Sequence, residues 1–326
     1  AGKPYVPGKA VYVCSLMTLI KRGLRPFEGE KVIFILDECH IFAGPECLAL
    51  LHAYPDALHL GLTATPQRGD GTALGNFYER LVCGPQMSWL MANGFLVPRI
   101  YTVGPGKKQK ALAWDPVDSW FRYAPGLRTI YFCASSDHAE KTAARFNALG
   151  VGSEVVTSKT GAAARRGFRE RVKKYQTLVV CTHSVGIKAL DLPEIACVGI
   201  WRSIAVQGVF QQMGGRGARR GKDEMVFIDG VGNCQELGKL EEDRVYSLDG
   251  DPIKLSHARP GSLTTCRACG AVQKPGDACQ RCGGELVPEE VKVSAANKMA
   301  EIKVVPLDSR QEHILRKLIY RGLQFV

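Results

Sequence analysis

Lys31-Val-Ile-Phe-Ile-Leu-Asp37-Glu38-Cys39-His40 decides the fold of this chain. Its apolar run reads as a buried strand that delivers two adjacent carboxylates to its C-terminal edge, where ligand sites form in α/β sheets. In a nucleotide hydrolase the first carboxylate can hold Mg²⁺, directly or through water, and the second can polarise the attacking water. His40 can link that site to its neighbours. An ordinary strand ending in polar residues would read the same way, so the surrounding sequence has to decide.

On either side, short apolar runs alternate with helix-like stretches. The strand candidates of the first region are Ala10–Cys14, Lys31–Leu36, Leu58–Leu62 and Arg99–Val103. Runs of this length separated by helical segments point to a parallel sheet with covering helices. Gly104-Pro105-Gly106-Lys107-Lys108 opens a stretch rich in Gly, Lys and Pro that reaches Pro125-Gly126, which reads as a linker. A second α/β unit then begins. Its strands are Thr129–Ala134, Val151–Thr157, Thr177–Cys181, Ala196–Trp201 and Met225–Ile228. Asp137–Leu149 is a helix, with Asp137 as N-cap or first-turn acid and Gly150 as its stop. The expected organisation is a first domain over 1–103, a linker over 104–126, a second domain over 127–240, a cysteine-rich segment over 262–290 and a helical tail over 291–326, with an amphipathic helix at Asp308–Leu323. Both larger domains are expected to be doubly wound parallel sheets.

Of the 326 residues, 45% are hydrophobic and 23% charged, proportions of a globular rather than a disordered chain. No apolar run approaches the roughly 20 residues of a membrane span. The N-terminus has neither a signal-peptide nor a transit-peptide pattern, so a cytoplasmic location is expected. The formal net charge of +11 fits a polyanionic partner, since each neutralised phosphate releases condensed counterions. A solvated basic surface would give the same number.

Two further motifs follow the carboxylate pair. Leu60-Gly-Leu-Thr63-Ala64-Thr65-Pro66-Gln67-Arg68 places two hydroxyls at a strand end, where they can hydrogen-bond the carboxylates and sense a γ-phosphate. Gln212-Met-Gly-Gly215-Arg216-Gly217-Ala218-Arg219-Arg220 combines helix-terminal glycines with closely spaced arginines, a side chain suited to bidentate phosphate contact. Together these segments resemble superfamily 2 helicases. Asp37-Glu-Cys-His40 is similar to motif II, Thr63-Ala-Thr65 to motif III and Gln212 to Arg219 to motif VI. Tyr131-Phe-Cys-Ala-Ser135 resembles motif IV, Thr182 with Asp191-Leu192-Pro193 resembles motif V, and Val11–Arg22 resembles the segment around motif Ib.

Within that group the chain is most similar to RadD/YejH-type DNA repair helicases. The residues that carry this are Leu60–Gly71, Gly94-Phe-Leu-Val-Pro98, Phe227-Ile-Asp229 with Gly232-Asn233, and the cysteine-pair tail. The resemblance implies two RecA-like domains coupling ATP hydrolysis to movement on DNA. Asp37 would help hold Mg²⁺, Glu38 would activate water with His40 beside it, and Arg216 and Arg219 would be arginine fingers. Thr63, Thr65, Asp191, Gln212 and Gly215 would complete the nucleotide contacts.

Two departures stand out. Ala189 occupies the place where motif V usually has Gly, two residues before its Asp. No Gly-x-x-x-x-Gly-Lys-Ser/Thr phosphate cradle is present, and Gly2 to Lys9 has the wrong spacing for one. The chain therefore reads as a fragment of a helicase, starting just upstream of motif Ib, with its first RecA-like domain truncated. The alternatives are a non-catalytic DNA-binding scaffold that keeps a helicase-like shell, and the motor part of a restriction enzyme.

Twelve cysteines are present, but only Cys266, Cys269, Cys279 and Cys282 are paired by spacing. Cys-x₂-Cys repeated after nine residues places four thiolates for tetrahedral Zn²⁺, with Gly270 and Gly283 allowing the tight turns. A closed four-Cys site is structural rather than catalytic. Cys14, Cys133, Cys181 and Cys197 are expected in or beside strands, as small hydrophobes. DNA, single-stranded or branched, is the expected partner, with a repair or single-strand-binding protein as a further one. Its track would include Arg68, Lys173 and Lys174, the basic stretch from Lys159, and Lys107, Lys108 and Lys110.

Overall fold

The core of the Lys31–His40 motif is strand β1 (Ile33–Asp37) in a computed structural model of the protein. β1 pairs in parallel with β2 (Leu58–Leu62), from Ile33–Leu58 to Asp37–Leu62. Helices α1 (Leu16–Lys21) and α2 (Pro45–Ala53) flank them. One face of this pair carries the core of the first unit: Phe34 packs with Leu19, Phe27, Leu50 and Tyr54. The Tyr54 hydroxyl accepts from the Phe27 amide at 3.0 Å, which ties the chain entering β1 to the end of α2. The structure describes residues 11–21, 27, 29–41, 45–66, 68, 73–105, 114–157, 160–183, 192–249 and 263–286. The chain divides into two compact units, Ala1–Cys83 with Val245–Leu255, and Gly84–Arg244 with Ser256–Val326.

The second unit opens with helix α3 (Met87–Ala92) and holds a six-stranded parallel sheet. Its strands are β3 (Ile100–Val103), β4 (Thr129–Phe132), β5 (Ser153–Val156), β6 (Val179–Thr182), β7 (Cys197–Ile200) and β8 (Met225–Asp229), in the order β3-β8-β7-β4-β6-β5. Alternate residues feed two cores, as the two-residue period of a strand requires. Ile130, Phe132, Val180, Val198, Ile200 and Phe227 face one side, with Phe210 and Met213. Tyr131, Cys133, Cys181, Cys197, Trp201 and Ile228 face the other, with Trp120 and Phe146. Every residue of β4, β6, β7 and β8 is buried, so these apolar runs follow from coverage on both faces.

Helix α4 (Pro116–Tyr123) follows β3, α5 (Ser136–Ala148) follows β4, and α6 (Ala162–Lys173) follows β5. Helix α7 (Gln207–Gly214) lies between β7 and β8, and the short α8 (Cys234–Leu237) follows β8. In α5 the N-cap is Ser135, whose hydroxyl accepts from the His138 amide at 3.0 Å. Asp137 is the first-turn acid and pairs with Lys141 at 2.9 Å, and Gly150 follows the helix with φ +76°. Among the described residues no helix is long and apolar enough to cross a membrane.

Four expectations need correction. Residues 11–15 are not a strand, because β1 pairs only with β2 among the described residues, and Cys14 is exposed. Ile100–Val103, expected to close the first domain, is instead the edge strand β3 of the second sheet, in register with β8 from Ile100–Met225 to Val103–Ile228. A short β-prone run specifies its extended backbone but not its partner 125 residues away. The supposed linker contains α4, which starts on Asp115 as N-cap, accepting from the Val117 and Asp118 amides at 2.9 and 3.0 Å, with Pro116 in its first turn. Val117 and Trp120 bury that helix on the sheet, so the composition of 104–126 concealed a core element. The first division between units accordingly falls at Cys83, ahead of β3. Lys107, Lys108, Lys110, Lys159, Ala189, Asp191 and the tail over 291–326 lie outside the described residues, as does the Gly2–Lys9 run.

Candidate functional site

At the C-terminal end of β1 the backbone changes direction within one residue. Glu38 has φ +55°, a left-handed conformation that costs a non-glycine residue on the order of 1 kcal/mol. The Asp37 carboxylate accepts the Glu38 amide at 3.0 Å and steadies this turn. The turn continues as one helical turn, Cys39–Ile41, and brings His40 back toward the strand edge. His40 Nδ1 lies 2.8 Å from the Thr63 hydroxyl and 3.5 Å from Glu38 Oε2. Thr63 Oγ1 accepts the Thr65 amide at 3.0 Å, and Arg68 Nη1 donates to the His40 carbonyl at 3.1 Å. Glu38, His40, Thr63, Thr65 and Arg68 therefore form one connected set across the ends of two adjacent strands.

The environment of that set is graded. Asp37 is exposed, whereas Glu38 and His40 are half-buried and Thr65 is buried. Glu38 Oε2 is buried, with His40 Nδ1 3.5 Å away and no hydrogen-bond partner among the described residues. Beneath the set, a Cβ on Gly61 would come within 2.6 Å of Tyr78 and 2.8 Å of Cys39 Sγ, so only glycine lets β2 pass. Burial pushes the Cys39 thiol above its usual range, which keeps it neutral beside the two acids.

The arginine motif belongs to the second unit. Gln212 is half-buried on α7, Gly215 caps the helix with φ −60° and ψ −16°, and the Arg216 amide bonds to the Met213 carbonyl at 3.3 Å. Arg219 is half-buried, and its backbone forms an antiparallel bridge with Leu96. Lys173 and Lys174 close α6 and are exposed; Lys173 lies 3.5 Å from Glu170.

The cysteine-rich segment builds two matching turns. The Gly270 amide bonds to the Cys266 carbonyl and the Gly283 amide to the Cys279 carbonyl, both at 2.8 Å, and both glycines have φ near +70° (+72° and +71°). The four Sγ atoms lie within 4.8 Å of one another, and the pairs Cys266–Cys282 and Cys269–Cys279 are 3.7 Å apart. Four thiolates at about 2.3 Å from one tetrahedral ion would be about 3.8 Å apart, so the cluster has the dimensions of a metal centre. The Cys269 amide aimed at Cys266 lowers that thiol to about 7, while burial raises Cys269 to about 12.

The cluster is fastened to the sheet edge. The Tyr101 hydroxyl of β3 donates to the Cys269 carbonyl at 2.6 Å, and Val103 bridges Ala271. Arg281 lies 3.4 Å from the centre of the Tyr101 ring and forms a two-pronged pair with Glu224 at 2.8 and 3.2 Å. Sequence reasoning did not find Tyr101 or Glu224, because partners 168 and 57 residues apart leave no local signal.

No family model matches the chain. It is 22% identical over 313 residues to a 51.5 kDa protein of Lactococcus phage, an alignment spanning 88% of this chain and 68% of that protein. It is 25% identical over 278 residues to a Schizosaccharomyces pombe protein whose name designates a mitochondrial ATP-dependent helicase, irc3. The Saccharomyces cerevisiae protein of the same name is 22% identical over 283 residues. The chain spans less than half the length of these two yeast relatives, 45% and 41%. Among solved structures, a fragment designated as the HsdR subunit of a type I restriction enzyme from Vibrio vulnificus shares the fold. Its TM-score is 0.54 at 22% identity, covering 67% of this chain and 49% of that one. In sequence, then, the chain is similar to helicase-like proteins, and its mixed α/β fold with a six-stranded parallel sheet resembles RecA-like domains.

Proposed function

We propose that this chain is part of an ATP-dependent DNA helicase or translocase of superfamily 2, of the RadD/YejH type, acting in DNA repair or recombination. The observation that carries this is the linked set Glu38–His40–Thr63–Thr65, which joins the acid turn after β1 to the hydroxyl turn after β2. An acid wired through a histidine to a neighbouring strand end suits a site whose occupancy must be felt elsewhere.

Asp37 is the exposed hard-oxygen ligand that Mg²⁺ would take. ATP would supply the phosphoryl group that water attacks. Glu38 would orient that water and accept its proton, with His40 beside the carboxylate at 3.5 Å. Thr63 and Thr65 would relay the change toward DNA. Arg216 and Arg219 would stabilise phosphoryl charge, with Asp191, Gln212 and Gly215 as supporting contacts. Cys266, Cys269, Cys279 and Cys282 would hold one structural Zn²⁺, as their spacing and thiolate chemistry suit. DNA would be bound through its backbone by Arg68, Lys173 and Lys174, and a repair or single-strand-binding protein would be a further partner. The setting would be cytoplasmic.

The test is DNA-stimulated ATP hydrolysis by the product of the whole reading frame. Glu38→Gln should abolish turnover while leaving ATP binding in place. Wild-type turnover in Glu38→Gln would overturn the reading.

A further inference from the structure

Helix α7 carries the arginine motif at its C-terminal end and buries Phe210 and Met213 in the core, but its first turn has no side-chain cap. Its N-cap is Val206, which offers no side-chain acceptor to the first turn. The helix is also held by the segment that follows β8. Asp229, at the end of β8, is fully buried, and its carboxylate accepts the Cys234 amide at 2.6 Å and Asn233 Nδ2 at 3.1 Å. The Asn233 amide then reaches the loop between β7 and α7. Nδ2 donates to the Arg202 carbonyl at 3.1 Å, and Oδ1 accepts the Ile204 amide at 2.9 Å. Both N–H groups and the oxygen are engaged, so the amide has one orientation. Gly230 leaves room for the Trp201 indole, which a Cβ there would meet at 2.6 Å.

The same segment holds the helix at two more points. With its amide oxygen turned toward Arg244, the buried Gln207 accepts from Arg244 Nε at 2.7 Å and Nη1 at 3.1 Å. Arg244 Nη2 also donates to the Leu237 and Lys239 carbonyls, both at 2.8 Å. Its backbone is fixed in turn by Gln86, through bonds of 3.1 and 3.3 Å. At the far end of α7, Leu240 fills the space where a Cβ on Gly214 would lie, 2.4 Å from both of its methyl carbons. The glycine before the arginines thus serves a close approach of this segment.

We infer that Asp229, Asn233, Gln207 and Arg244 are positioning residues, a polar clamp that sets where α7 presents Arg216 and Arg219. This rests on the reading that those arginines face nucleotide. An arginine stabilising transition-state charge is worth on the order of 10³–10⁵ in rate. A displacement of about 1 Å remote from the chemistry can cost on the order of 10²-fold. Hydrogen bonds to a buried amide and guanidinium suit this task because they fix direction, which apolar packing does less strictly.

The test uses the product of the whole reading frame and two variants of nearly equal size. Gln207→Met removes the acceptor, and Gln207→Glu keeps it, since a carboxylate accepts both Arg244 donors. In Gln207→Met, kcat should fall on the order of 10²-fold while KM for ATP and DNA affinity stay within about twofold of wild type. Amide hydrogen exchange over residues 207–219 should speed up in the same variant. Gln207→Glu should restore both readouts. Wild-type kcat and exchange in Gln207→Met, or equal loss in both variants, would overturn the clamp. Arg216→Ala separates this from the underlying reading. If Arg216→Ala hydrolyses ATP normally, the nucleotide role of the arginines falls, and faster exchange in Gln207→Met still supports the clamp on the helix.

Discussion

Two parallel sheets of this protein are built from the same kind of strand and covered differently. In the second unit, each of the four central strands is buried at every residue. In the first, β1 and β2 bury one face on Phe34, Leu50 and Tyr54, while Ile33, Ile35, Leu58, Leu60 and Leu62 stand 64%, 63%, 68%, 51% and 46% exposed on the other. Register places Ile33 beside Leu58, Ile35 beside Leu60 and Asp37 beside Leu62, so these aliphatics form one continuous apolar face that ends at the acid turn. An apolar run therefore specifies a strand fit for burial on both sides, and the neighbouring chain decides whether burial happens. The acid turn can form on the half-covered pair because its hydrogen bonds are local to two strand ends.

The largest expected difference between the units comes from the four-cysteine cluster, since a structural zinc there would contribute about 10–16 kcal/mol, as in comparable peptides. Elemental analysis should find about one zinc per chain, lost in Cys266→Ala/Cys279→Ala. Hydrogen exchange should then rise at β3, whose Tyr101 and Val103 hold the cluster, and not at β1. Metal-independent protection of β3 would break the link between cluster and sheet.

Next in size is the core contrast. Phe132→Ala, in the doubly covered sheet, should cost about 3–5 kcal/mol in denaturant unfolding. Ile35→Thr, on the face of β1 that is exposed in this chain, should stay within about 0.5 kcal/mol when these 326 residues are unfolded alone. A cost for Ile35→Thr as large as that of a core residue would mean that this face is covered in solution.

A smaller effect concerns the exposed cations of the second unit. Changing Lys173 and Lys174 to Ala should weaken DNA binding about equally on unrelated sequences. It should also flatten the slope of log affinity against log salt by about 1.4, at about 0.7 per single-strand phosphate. A loss confined to one sequence would instead indicate base readout.

The smallest effect is acid dependence. The Arg171 guanidinium, bonded at 2.8 and 2.6 Å, holds the Glu154 carboxyl below its usual range; burial opposes it and the Thr177 hydroxyl assists. A carboxyl lowered by folding stabilises the fold above its ordinary pKa, and that contribution is lost as pH falls through the lowered value. Arg171→Ala should remove this part of the acid sensitivity of the second unit, measured by unfolding between pH 5 and 2 (about one unit above and two below the unfolded carboxyl value). An unchanged pH profile would show that the pair is solvent-screened.

The sequence by itself determined elements whose signal is local. Leu58–Leu62 has its observed bounds in the apolar run alone, and the two Cys-x₂-Cys-Gly turns have theirs in the spacing. The acid, hydroxyl and arginine motifs were legible because they follow one another along the chain in one order, each alone being commonplace. Only the tertiary structure decided the rest. β3 left the first unit for the second because pairing with β8 buries it, and α4 emerged from a supposed linker because Asp115 caps it and Trp120 docks it. His40 meets Thr63, Tyr101 meets Cys269 and Asn233 meets Ile204 across 23, 168 and 29 residues of chain. Such contacts depend on where the backbone returns in space, and that is set by the packing of whole elements rather than by the residues beside each partner.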